Sequence, residues 1–100
     1  MKQKNLYNRI VEIAKRYGFY VEETHESYLI YRTKAIATTD KYGYLMGILV
    51  DEWSSPSFSL WAVGGYYRIT VKSLSETVFL NMIDNLCGLF YLHILSEEKI

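Results

Sequence analysis

The side chains from which a catalytic or metal centre would have to be built are few: His25, His93 and the single cysteine, Cys87. Metal binding needs several deprotonated N, S or O donors converging on one point. No C-x-x-C or H-x-x-x-H spacing occurs in the chain. Cys87 and His93 are the one pair that could act as nucleophile and base, which requires hydrogen-bond reach. They are six residues apart, which on a helix of 3.6 residues per turn rotates them about 240° from each other. Cys87, in an apolar run, reads instead as a small buried hydrophobe. No catalytic residue, metal ligand or cofactor is assigned.

The carboxylates lead to the same place. Glu22, Glu23 and Glu26 surround one tight turn, and Asp51-Glu52 adjoin Trp53. Acid–base catalysis by a carboxylate pair needs two different environments facing each other across a cleft. Neighbours on a solvated turn share one environment. Gly64-Gly65 is no phosphate cradle, because it lacks a following Lys-Ser/Thr and leads into a strand where a P-loop leads into a helix.

The aromatic content is what chemistry of this kind leaves unexplained: ten tyrosines, four phenylalanines and two tryptophans in 100 residues. To place them, the elements must be read. Leu6, Ile10, Ile13, Ala14 and Tyr17 recur on one face of a helix, with Asn5 as its cap and Gly18 as its stop. From Phe19 the period becomes two. Phe19–Thr24 and Tyr28–Thr33 predict strands joined at His25-Glu26, with Ala35–Thr39 continuing the second. Tyr44–Val50 follows, then a loop through Trp53 and Pro56, then Phe58–Val63 and Tyr66–Lys72 around Gly64-Gly65, a two-glycine hairpin signal. Ser73 and Glu76 have the spacing of a capping box ahead of an apolar helical stripe, Leu74, Val78, Phe79, Met82, Ile83 and Leu86. Gly88 reads as its end, and Leu89–Leu95 as a last strand.

The expectation is one α+β domain over residues 1–100. Its antiparallel sheet has five or six strands, with an N-terminal helix and a C-terminal-half helix packed on one face. Alternation then places Leu60, Tyr67 and Ile69 toward the core and Trp61, Tyr66 and Arg68 on the opposite face. Aromatics with arginine are the enriched anchors of protein interfaces and, as a second reading, a stacking platform for single-stranded bases. Trp53, Trp61, Tyr66 and Arg68 are the candidate partner-binding residues, the partner being another protein or a second copy of the chain.

Charge narrows the partner further. Lysine and arginine total 11 and aspartate and glutamate 11, which removes the electrostatic case for a general nucleic-acid binder. Residues 1–17 nevertheless hold five basic groups and one acidic, so a nucleic-acid-associated regulator using the first helix stands as the alternative, with a small enzyme third. Leu6–Tyr17 is interrupted by charges, against a secretory signal. Leu86–Leu95, ten residues, falls short of the ~20 that span a bilayer. A lone buried thiol suits a reducing cytoplasm. No membrane partner is expected.

In composition (a small motif-free domain rich in Tyr, Ile, Leu, Lys and Glu) the chain resembles accessory proteins of bacteriophages and mobile elements of low-GC bacteria. Several of those bind and block a host defence protein. The resemblance implies a non-catalytic, cytoplasmic inhibitor of a host complex and carries no residue assignments.

Overall fold

A computed structural model describes the backbone of residues 2–24, 27–51, 57–64, 67–73 and 75–98, with side chains for 6–24, 27–49 and 75–97. The chain runs α1 (Lys2–Arg16), β1 (Tyr20–Glu23), β2 (Ser27–Tyr31), α2 (Lys34–Thr39), β3 (Met46–Asp51), β4 (Ser57–Gly64), β5 (Tyr67–Ser73) and α3 (Glu76–Glu98). Every strand pairs antiparallel with its sequence neighbour, in the order β1-β2-β3-β4-β5. The architecture is α+β, as the alternation of periods predicts.

α1 forms where the 3.6-residue spacing puts Leu6, Ile10, Ile13 and Ala14 on one side, and all four are buried. It begins at Lys2, so Asn5 lies inside the helix and does not cap it. Gly18 does end it. Its φ of +75° is a left-handed conformation that costs other residues about 1–2 kcal/mol. The amides of Gly18 and Phe19 donate to the carbonyls of Lys15 and Ala14. Phe19 turns back into the core beside Ile13. Gly18→Ala is therefore expected to lower the unfolding free energy by about 1 kcal/mol, read by urea titration.

The ladder sorts the sheet into two faces. Val21, Ile30 and Met46 share one row, continued by Ala62 and Ile69. Tyr28 and Ile48 share the next, continued by Leu60 and Val71. Val21, Tyr28, Ile30, Met46 and Ile48 are buried in one cluster with Leu6, Ile10, Ile13 and Ala14 of α1 and Phe79, Leu80, Ile83 and Cys87 of α3. Both long helices thus cover the same face. Met82 and Leu86, expected in the core with these, are only partly buried at its edge.

Two segments depart from the sequence reading. Ala35–Thr39 does not extend β2 but forms most of α2. Thr33 caps that helix by accepting from the Ile36 amide at 3.2 Å, and the hydroxyls of Thr38 and Thr39 donate back to the Ala35 carbonyl. These local bonds satisfy β-branched residues that otherwise favour a strand. Leu89–Leu95 likewise forms no sixth strand. α3 runs on through Gly88 to Glu98, because Phe90 and Ile94 continue the helical stripe onto the core. Gly88 does not take the left-handed conformation of Gly18 and sits against the Tyr17 ring. The start of α3 also differs. Ser73 belongs to β5, and Ser75 is the cap, its hydroxyl accepting from the Val78 amide at 3.3 Å.

Candidate interaction surfaces

Of the predicted surface residues, Trp61 and Arg68 fall by ladder parity on the sheet face turned away from α1 and α3. One row reads Glu22, Leu29, Gly47, Trp61 and Thr70 across all five strands. The next pairs Ser27, Leu49, Ser59 and Lys72, and Val63 pairs with Arg68. Trp61 and Arg68 therefore occupy positions of the same parity on adjacent strands, two residues offset along the ladder. Tyr66 and Trp53 lie outside the described residues, as do His25, Glu26 and the Gly65 half of the predicted hairpin tip. Gly64 pairs with Tyr67, so the β4–β5 connection is residues 65–66, one position later than the two-glycine spacing suggests.

Among the described residues, the cover on this second face lies at one end. Tyr31 points to it by alternation and is nevertheless fully buried. Its hydroxyl donates to the Lys41 carbonyl at 2.8 Å, and its ring meets Tyr44 edge-on at 6.3 Å. The segment from α2 to Tyr44 forms this cover, held by the Asp40 carboxylate accepting from the Tyr42 amide. Burial, and then the charge of Glu22, push the Tyr31 phenol above its ordinary range. Beyond that cover, Leu29 is half-buried and Leu49, on the middle strand of the sheet, is 40% exposed.

Much of the tyrosine surplus is absorbed inside the fold. Tyr7 packs on Tyr28 at 5.3 Å, and Tyr17 on Phe19 and Tyr91 at 6.2 and 5.9 Å. Such ring pairs add roughly 0.5–1.5 kcal/mol each beyond their buried area. Alternation alone cannot find them, because they join helices to the sheet or to one another.

The polar ties between α1 and α3 also emerge only in three dimensions. Arg9 pairs with Glu76 at 3.7 Å and Arg16 with Asp84 at 3.2 Å. Seven residues along one helix match eight along the other, so α1 and α3 run in the same direction. The Tyr17 hydroxyl donates to the second oxygen of Asp84 at 2.5 Å. That bond, with burial second, raises the Tyr17 phenol above its ordinary range. Tyr17→Phe is expected to cost about 0.5–1.5 kcal/mol, measured by urea unfolding at neutral pH.

Cys87 and His93 are not arranged as nucleophile and base. Cys87 is fully buried, and burial pushes its thiol up to about 12, so it is protonated at neutral pH. His93 is exposed and pairs with Glu97 at 3.0 Å, away from Cys87. Among the described residues no group of three or more His, Cys, Asp or Glu side chains could hold a metal ion.

A second surface, which the strand reading of Leu89–Leu95 concealed, lies on α3. Leu89 and Leu92 are each 63% exposed, Val78 46% and Tyr91 38%. Over Glu76–Glu97 this helix is long and apolar enough to cross a membrane by length and composition, whereas the run measured from sequence was ten residues. Its inner side is nevertheless packed into the core through Phe79, Leu80, Ile83 and Cys87. No protein-family model, no curated protein and no solved structure matches the chain.

Proposed function

We propose that this chain is a non-catalytic protein-interaction module that acts by covering a surface of another protein. The observation that supports the reading is the exposure of Leu49 on the second sheet face. An antiparallel sheet is stable with one face in water, and then alternates apolar with polar residues. By ladder parity the Leu29, Leu49, Trp61 and Arg68 positions share this face, and Leu49 is 40% exposed on the middle strand. Trp53 and Tyr66 belong to the same proposal by sequence. The compositional resemblance to bacteriophage and mobile-element accessory proteins makes a host defence protein in the cytoplasm the proposed class of partner. The mechanism is occlusion, which needs no catalytic group.

The nucleic-acid reading through α1 is the weaker one. Arg9 and Arg16, two of its basic side chains, are engaged with Glu76 and Asp84 of the same molecule, which reduces the charge available to phosphates.

The test is capture from a bacterial lysate by the immobilised full chain. Leu49→Glu and Trp61→Ala are expected to lose the captured protein with unchanged circular dichroism, and Val78→Ala to retain it. Retention of the same protein by both sheet-face variants would refute the surface assignment. Capture of nucleic acid whose log affinity falls steeply with log salt would favour the α1 reading instead.

A further inference from the structure

Val78, Asn85, Leu89, Leu92 and Ser96 follow one another along α3 at intervals of seven, four, three and four residues, which keeps them on one line of a helix. All five are exposed, on the side away from the sheet and from α1. The line carries no ionisable group. We propose that its stretch from Asn85 to Ser96 is the docking surface for a second copy of this chain, α3 lying antiparallel on α3 about a two-fold axis that passes between Phe90 and Tyr91.

The sequence of α3 supplies the self-complementarity that a two-fold contact demands. About that axis Leu89 stands opposite the second copy's Leu92, and Asn85 opposite the second copy's Ser96, so apolar meets apolar and polar meets polar. Glu97 comes level with Asp84 of the other copy, a like charge that Arg16 already compensates within its own chain at 3.2 Å. Beside Asp84 runs the basic last turn of α1, Lys15 and Arg16. A parallel pairing would instead bring Glu97 and Glu98 of both copies together. α3 has no lysine or arginine over its whole length, so an anionic bilayer surface, which attracts basic helix faces, gains nothing from it electrostatically.

The fold leaves room for the pairing. α1 ends at Arg16, level with Asp84, and Tyr17 reaches Tyr91. Among the described residues no helix runs beside the remaining turns of α3. An overlap over residues 83–98 is a strip about 24 Å long and ~10 Å wide. Total buried areas below ~1,200 Å² belong to weak and transient contacts, so the association is a reversible monomer–dimer equilibrium rather than an obligate dimer. It does not depend on the sheet face of the preceding section.

Sedimentation equilibrium of the full chain over a wide concentration range tests this. The expected average mass rises with concentration from 11.8 kDa toward twice that value. Leu89→Glu and Leu92→Glu place like charges across the two-fold axis and are expected to weaken association at least about tenfold. Both sites are exposed, so circular dichroism should not change. Trp61→Ala is expected to leave the equilibrium as it is. In an oxidised mixture of Leu89→Cys and Leu92→Cys chains, the mixed disulfide should exceed either homodimer, with Cys87 too buried to compete. A chain that stays monomeric throughout overturns the proposal, as does a dimer indifferent to both glutamates or abolished by Trp61→Ala. Homodimeric disulfides in excess overturn the antiparallel arrangement. Co-sedimentation of the monomer with phosphatidylcholine vesicles would assign the stripe to a membrane instead.

Discussion

Ile83→Ala is expected to lower the unfolding free energy by about 2–5 kcal/mol. Ile83 is fully buried, one turn from Phe79 and from Cys87, in the cluster where α3 meets the sheet and α1. Removing its outer carbons leaves a cavity whose walls belong to three elements, so no single element can shift to fill it. Val78→Ala, on the exposed line of the same helix, removes a comparable chemical group and is expected to change stability by less than about 0.5 kcal/mol. Denaturant titrations of the two variants separate burial from helix propensity. Similar losses in both would mean that α3 is not packed as described.

The second large effect is a loss of stability in alkali. Cys87 titrates near 9.0 when unfolded and near 12 when folded, through burial. Tyr17 and Tyr31 both move upward from 10.0, the first mainly through its bond to Asp84 and the second mainly through burial. All three are neutral when protonated, and the folded state holds their protons longer. Their contribution is therefore complete below the unfolded values and declines once pH passes them, from about 9 for the thiol and about 10 for the phenols. One unit of displacement corresponds to ~1.36 kcal/mol, so the thiol alone accounts for a loss of about 4 kcal/mol by pH 12. Urea unfolding at successive pH values between 8 and 11.5 should show the decline. Cys87→Ala should be less stable at pH 8 yet flatten the slope above pH 9. A slope unchanged by that substitution would place the thiol in solvent.

What the sequence revealed and what it hid divide along physical lines. α1 was legible because Leu6, Ile10, Ile13 and Ala14 keep one period over about two and a half turns, and Gly18 ends it with a conformation other residues avoid. The antiparallel pairing of β1 with β2 and of β4 with β5 was legible because period two survives in those strands and their connections are short, whereas residues 32–45 between β2 and β3 contain α2. From the same alternation, Trp61 and Arg68 were assigned the parity that the ladder gives them. α2 was hidden because six residues are too few to show a helical period, and its threonines also suit a strand. The signal that could have found it is Thr33 as a cap before two alanines. α3 was cut short because Gly88 resembles Gly18 and because an extended helix exposes Leu92. The structure accepts that exposure in exchange for burying Phe90 and Ile94. Consequently Leu89 and Leu92 were assigned to a strand, and the apolar line they form was missed. Its spacing from Val78 through Asn85 to Ser96 was present in the sequence throughout. The Asp84 contacts had no sequence signal at all, since the partners come from opposite ends of the order of elements.

That last separation bears on how the protein is made. Asp84 follows Tyr17 by 67 residues, roughly 3–13 s of synthesis at ~5–20 residues per second. α1 emerges early and can lean on β1 and β2 within moments, whereas the flank that α3 will cover has nothing to meet. During that interval the growing meander presents Ile30, Met46 and Ile48 to water on the side that α3 completes. The nascent chain is thus a half-roofed sheet, the kind of species that chaperones bind and that aggregates when crowded. A slowing of translation after β5 would lengthen the exposure, and a faster arrival of α3 would shorten it.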